Sequence, residues 1–65
     1  MTINVEVQNV PDYAKNKSGF MVCSQNDEEL WFYGIYDDLV TAKGVRRFVT
    51  NAIILKCEVY YGYVD

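Results

Sequence analysis

Apolar residues recur at every second position near both ends of this chain, and at helical spacing in one segment between them. Ile3, Val5 and Val7 alternate with polar residues near the start, and positions 53–61 alternate in the same way. These period-two patterns predict half-buried strands. The apolar spacing within residues 39–52 instead predicts an amphipathic helix. A chain with several strands and one such helix is expected to fold as a sheet with the helix packed on one face.

Two further strands are predicted in the middle of the chain. Residues 20–25 and 30–36 are rich in aromatic and β-branched side chains, and the polar residues 26–29 between them predict a hairpin turn centred on Asp27 and Glu28. This turn places Gln25 opposite Leu30. The stretch from Pro11 to Gly19 is predicted to be an exposed loop.

The predicted helix has signals at both ends. Asp37 or Asp38 can act as the N-cap, because a carboxylate there accepts hydrogen bonds from the free amides of the first turn. Arg46 and Arg47 favour the C-terminal end, and Asn51 is a candidate for a left-handed residue that ends the helix. The half of the helix expected to be buried consists of Leu39, Ala42, Val45, Phe48, Val49 and Ala52.

Residues 1–65 therefore predict a single small α+β domain. Its sheet has four mostly antiparallel strands, in the chain order strand, strand, strand, helix, strand, with the helix on one face. The crossover through the helix is expected to be right-handed. The pattern leaves open whether the last strand lies beside the first or beside the third.

The composition argues against an enzyme. The chain has no histidine and a formal net charge of −3, and it has no glycine-rich phosphate loop. We expect no catalytic residue, no metal site and no cofactor, and we interpret Asp37 and Asp38 as helix caps. Cys23 and Cys57 are expected to be buried thiols in a reducing cytoplasm, with a disulfide between neighbouring strands left open. No apolar run approaches a membrane span and no signal peptide is indicated, so a cytoplasmic location is predicted.

The strongest candidate site is the sheet face that one helix would leave uncovered. Both faces of the hairpin are apolar, and we assign the set containing Phe32 to the helix side. The open face would then carry an aromatic patch rimmed by Glu6, Lys56 and Glu58, and the acidic residues Asp27, Glu28 and Glu29 are further candidates for binding a partner. The patch consists of Phe20, Val22, Trp31, Tyr33, Ile35 and Tyr60.

Exposed apolar surface of this kind usually marks an interaction site. The predicted partner is a protein, either foreign or a second copy forming a homodimer or a larger structural assembly. The alternative is that the loop 11–19 or the C-terminal tail covers this face.

Nucleic acid is a less favoured partner, because an acidic chain has few groups to neutralise phosphates. The alternative interface would use Lys43, Arg46 and Arg47 on the helix, joined by Lys15 and Lys17 in a local basic patch. The acidic residues could conversely imitate phosphates and occupy a nuclease channel.

The run Leu30-Trp31-Phe32-Tyr33-Gly34-Ile35-Tyr36-Asp37-Asp38, with Ala42 and Asn51-Ala52-Ile53-Ile54, resembles the aromatic strand, acid-capped helix and closing strand of small accessory proteins of tailed phages. The similarity covers residues 30–59. It implies a protein that binds and inhibits or modulates a host component, such as a nuclease, defence or transcription protein, in the host cytoplasm. It assigns no role to an individual residue.

Overall fold

A computed structural model describes residues 6–57, which form one four-stranded sheet and two helices. The predicted α+β class is confirmed. The elements in chain order are β1 (Val7–Gln8), α1 (Asp12–Lys15), β2 (Gly19–Asn26), β3 (Glu29–Tyr36), α2 (Leu39–Arg46) and β4 (Ala52–Cys57). Within this part of the chain, no helix is both long enough and apolar enough to cross a membrane.

The predicted hairpin forms between β2 and β3, which are antiparallel, and Gln25 lies opposite Leu30 as expected. Asp27 and Glu28 both have left-handed backbones, with φ of 52° and 71°. Two consecutive residues with positive φ are typical of the tight type I′ turn, whose twist matches that of the flanking strands.

The strands lie in the order β1-β3-β2-β4, with β1 parallel to β3 and β4 antiparallel to β2. The last strand therefore takes neither of the two positions considered from the sequence. The reason is the apolar character of β2, in which Met21, Val22 and Cys23 are all buried. A strand buried on both faces is best placed in the centre of a sheet, with a neighbour on each side. Of the strand predicted near the start, Ile3 and Val5 lie outside the described residues.

A β-bulge in β3 changes which residues share a face. Cys23 lies opposite Phe32 and Val22 lies opposite Gly34, so Tyr33 is an extra residue without an opposing partner. The extra residue turns Ile35 to the same side as Met21. The prediction that Ile35 shares a face with Trp31 and Val22 is therefore wrong.

Both faces of the sheet carry a helix. On one face, hereafter the α1 face, Ala14 packs with Met21, Cys23 and Ile35. The half-buried residues around this cluster are Val7, Val10, Leu30, Phe32, Ile53, Leu55 and Cys57. On the opposite α2 face, Val22 and Ala42 are both completely buried. Because strand side chains alternate, Val22 points away from Met21 and Cys23, so its cover comes from α2, which packs against β2, β3 and β4.

Two predictions about this arrangement are corrected. The segment after Pro11 is not simply an exposed loop, since Asp12–Lys15 is helical and Ala14 is buried. Phe32 and its neighbours lie under α1 rather than under α2, and the Tyr13 ring meets the Phe32 ring edge-on, with centroids 6.4 Å apart. The alternative in which the segment 11–19 covers the face carrying Val22 and Trp31 is wrong as well, because α1 covers the opposite face and α2 lies on the Val22 side.

Helix α2 begins as predicted and ends earlier than predicted. Asp38 is the N-cap: Thr41 donates its backbone N–H to Asp38 Oδ1 at 2.8 Å and its hydroxyl to Oδ2 at 3.1 Å. The helix stops at Arg46, because the chain must then turn into β4. Asn51 has the predicted left-handed backbone, with φ of 54°, and its carbonyl accepts from Gln25 N–H at 3.0 Å.

Phe48 follows the end of α2 and is 87% exposed, so its predicted burial is wrong. Leu39 in the first turn is also exposed, and only Ala42 of the predicted buried half is completely covered.

Candidate interaction surface

The aromatic patch predicted on one sheet face does not exist as a continuous surface. Val22 and Ile35 are buried, on opposite faces, and Phe20 is half-buried. Tyr60 lies outside the described residues. Trp31 and Tyr33 are exposed, at 41% and 56%. The structure therefore reduces the patch to these two rings.

The edge of the sheet explains why Trp31 and Tyr33 reach solvent. On its outer side, β3 is paired with only the two described residues of β1, where Gln8 lies opposite Trp31. On the inner side of β3, Trp31 lies opposite Ser24 of β2. The Ser24 hydroxyl donates to the carbonyl of Thr50 at 3.2 Å, and Thr50 lies beyond the end of α2. Tyr33 is the bulged residue, and a bulge changes the direction of its side chain from the one it would have in a regular strand.

The acidic turn lies next to these rings along the chain. Asp27, Glu28 and Glu29 are all exposed, and Glu29 is two residues before Trp31. Among residues 6–57 the structure shows an ion pair between Lys15 and Asp12, at 3.3 Å, and none at this turn. The aromatic-acidic surface, as we name Trp31, Tyr33 and residues 27–29, thus combines two large rings with three solvated carboxylates.

The basic residues do not form the single patch considered from the sequence. Lys43, Arg46 and Arg47 are exposed on or directly after α2. Lys15 belongs to α1, and Lys17 stays beside it because its N–H donates to the Ala14 carbonyl at 3.4 Å. The two groups are therefore carried by helices on opposite faces of the sheet, and the predicted combination is wrong.

Both cysteines are free, and both side chains belong to the α1 face. Cys23 lies opposite Ile53 and Cys57 lies opposite Gly19. They are thus four positions apart along adjacent strands, about 13 Å, which is beyond the reach of a disulfide. Burial, and to a smaller extent the charge of Cys57, raises the pKa of Cys23 to about 11, and burial also raises the pKa of Cys57. Both thiols are therefore held in the unreactive neutral form.

One open cleft of about 290 Å³ lies at the end of the sheet where β2 begins and β4 ends. It is lined by Ser18, Gly19, Phe20, Asp37, Lys56 and Cys57. Its sulfur group is the neutral Cys57 thiol, and Asp37 and Lys56 are exposed to solvent. In the described part of the chain no cluster of three or more cysteine, aspartate or glutamate side chains could hold a metal ion. The cleft is a weaker candidate than the aromatic-acidic surface, because its charged groups are not withdrawn from water.

Comparisons with protein-family models, with curated proteins and with solved structures find no match to this chain. The case for a function consequently depends on the geometry of the described residues.

Proposed function

We propose that this protein is a small non-enzymatic binding factor that attaches to another protein through the aromatic-acidic surface. The observation that carries the proposal is the exposure of Trp31 and Tyr33 on β3, directly beside the strand β2 that holds the completely buried Val22 and Cys23. A chain that buries so few large side chains gains stability by burying its rings, so two rings left in water suggest a use outside the fold.

The residue types suit a protein partner. Tryptophan and tyrosine dominate the energetic centres of protein interfaces, because a rigid ring fills a pocket at a small cost in entropy. Carboxylates at the rim add specificity and speed the encounter with a basic surface. The partner expected here therefore has an apolar recess bordered by lysine or arginine residues.

The similarity to phage accessory proteins suggests which kind of protein the partner is. In this proposal the chain acts in the host cytoplasm and inhibits or modulates a host component. A nucleic acid partner is less well supported, because bases stacked on Trp31 would bring their phosphates close to Glu28 and Glu29.

The test is affinity purification of the tagged protein from cells of its host or source organism, comparing the wild type with Trp31→Ala/Tyr33→Ala. We expect the double variant to lose the partner, with affinity falling by about 30-fold or more, as is typical when central interface rings are truncated. The matched control is Tyr13→Ala, which removes another exposed ring on the α1 face. Circular dichroism would establish that all three proteins are folded.

Equal recovery of the partner by the wild type and the Trp31→Ala/Tyr33→Ala variant would refute the proposal. A gel-shift assay with mixed DNA and RNA tests the alternative. Binding there that disappears on charge reversal at Arg46 and Arg47 would favour the nucleic acid interface.

A further inference from the structure

The side of α2 that faces away from the sheet carries apolar residues in water. Val40 is 80% exposed and Phe48 is 87% exposed. Gly44 is four residues from each of them, and within α2 this spacing puts Val40 and Gly44 on one side of the helix. Phe48 follows α2 in a tighter turn, since its N–H donates to the Val45 carbonyl three residues back at 2.9 Å, and its side chain also remains in water. We name Val40, Gly44 and Phe48 the outer stripe.

Gly44 has no role inside the described fold. A Cβ built on it would have no atom within 4 Å, so no packing contact requires its small size. Glycine also weakens a helix interior relative to alanine. A close approach by another backbone would account for a glycine at this position, because only glycine leaves room for it.

The outer stripe is complementary to itself. Suppose that two α2 helices cross antiparallel with Gly44 at the crossing point. A residue four positions before Gly44 then lies opposite the residue four positions after Gly44 in the second copy. Val40 then lies opposite Phe48 of the second copy, and the reverse contact occurs on the other side of the axis. A two-fold interface of this kind uses one surface twice, as most homodimers do.

The charges around the stripe favour the same arrangement. Asp37 lies just before α2 and Arg47 directly after it, and both are exposed. Antiparallel crossing brings the acidic end of each helix towards the basic end of the other, and it also opposes the two helix dipoles. Lys43, close to the crossing point, is the one charged side chain that would approach its own copy.

We infer that a second copy of this chain docks on the outer stripe, forming a two-fold dimer in which the α2 helices cross antiparallel at Gly44. The outer stripe faces away from the sheet that carries Trp31 and Tyr33, so this inference does not depend on the proposed function.

Sedimentation equilibrium on the full chain tests the inference. Over about 1 μM to 1 mM we expect the wild type to pass from monomer to dimer, and Phe48→Asp and Gly44→Gln each to weaken the dimer by about 30-fold or more. Both substitutions lie at open positions of the monomer, so circular dichroism should remain that of the wild type. Tyr13→Asp, on the α1 face, is the matched control and should dimerise normally.

A charge swap tests the antiparallel orientation. Asp37→Lys alone and Arg47→Glu alone should each weaken the dimer, whereas the double variant should recover it, because opposite charges again meet across the axis. In a Cys57→Ser background, Gly44→Cys should form an intermolecular disulfide on oxidation. Arg46→Cys, an exposed α2 position turned away from the stripe, should not.

A wild type that remains monomeric throughout the range would overturn the inference. So would a dimer that survives both Phe48→Asp and Gly44→Gln, because its contact would then lie on another surface. A dimer lost in these variants but with no rescue by the charge swap and no crosslink at position 44 would overturn the antiparallel geometry.

Discussion

Two residues of the hairpin turn adopt a left-handed backbone that aspartate tolerates better than glutamate. Asp27 and Glu28 both have positive φ, where the Cβ of an L-residue crowds the following carbonyl. The usual solution for this turn is asparagine followed by glycine. This chain instead places two exposed carboxylates there, at the position that the proposed function assigns to partner recognition.

The strain in this turn leads to a stability prediction. Glu28→Gly should raise the free energy of unfolding by about 0.5–1 kcal/mol, because relief of the left-handed strain exceeds the entropy that glycine adds to the unfolded chain. Urea denaturation followed by circular dichroism would measure the change. Glu28→Ala removes the same charge but keeps a Cβ, so it should have little effect. A gain in stability from alanine equal to that from glycine would show that charge repulsion, rather than the backbone, is the cause.

A second residue-scale feature determines the faces of the sheet. Gly34 follows the bulged Tyr33, and a Cβ there would collide with the ring of Tyr36, which folds back over it. The glycine therefore leaves room for the Tyr36 ring next to the bulge at Tyr33. Neither could be inferred from the alternation of β3, because an extra residue in a strand is visible only when its partner strand is known.

At the scale of elements, the two helices are held in different ways. α1 has only four residues and is anchored by Ala14 and by the contact of Tyr13 with Phe32. α2 has eight residues and a side-chain cap at its start. Helices this short are not stable alone in water, so both depend on packing against the sheet.

The cap of α2 predicts how stability depends on pH. The backbone N–H and hydroxyl of Thr41 hydrogen-bond to the Asp38 carboxylate and hold its pKa below the usual range. Because the pKa is lower in the folded state, the contribution of this carboxylate is complete above about pH 4, the unfolded value. It is lost as the pH falls through the lowered pKa. Asp38→Ala should therefore lower the melting temperature at neutral pH, with the difference from wild type shrinking at acid pH.

Thermal unfolding between neutral and acid pH would measure this effect, with Asp38→Asn as the control. Asparagine keeps an acceptor for the Thr41 N–H but cannot titrate, so it should retain part of the cap at every pH. A constant difference between Asp38→Ala and wild type across the titration would contradict the assignment.

At the scale of the whole molecule, the fold is a thin three-layer arrangement rather than the two layers expected. α1 and α2 cover opposite faces of the sheet, and the completely buried side chains Val22 and Cys23 lie next to each other in the central strand β2. The core is consequently concentrated along one strand, and β4 lies beside it at the edge of the described sheet.

This distribution of burial predicts different behaviour for the two thiols. Cys23 is completely buried in the central strand, whereas Cys57 is half-buried in β4. Cys57 should react with a thiol reagent through local opening of the sheet edge. Cys23 should react only when the whole domain unfolds. This can be measured in the Cys57→Ser variant. When refolding is faster than the labelling reaction, the labelling rate of Cys23 should give the same free energy of unfolding as urea denaturation.

Labelling of Cys23 at the rate of Cys57 in native buffer would contradict this prediction, and would indicate that the α1 face opens independently. Rates measured at several pH values should follow the ordinary thiol pKa of an unfolded chain, about 8.5, because the thiolate is the reacting form and the burial that raises the pKa of Cys23 is lost on unfolding.

The sequence by itself was sufficient for the features that depend on near neighbours in the chain. The β2–β3 turn, the pairing of Gln25 with Leu30, the start of α2 at Asp38 and the left-handed Asn51 all follow from the conformational preferences and hydrogen bonds of a few consecutive residues. The α+β class follows from the hydrophobic periods, which are also local.

Only the tertiary structure decided the strand order, the bulge at Tyr33, the side on which Ile35 lies and the cover of the second face by α1. Each of these depends on contacts between residues far apart in the chain, such as Ala14 with Met21 and Ile35. Their energies compete with local preference and can overrule it, as the exposed Phe48 shows. The sequence therefore identified Trp31 and Tyr33 as candidate surface residues. Only the tertiary structure showed that Val22 and Ile35 are buried and do not belong to the same surface.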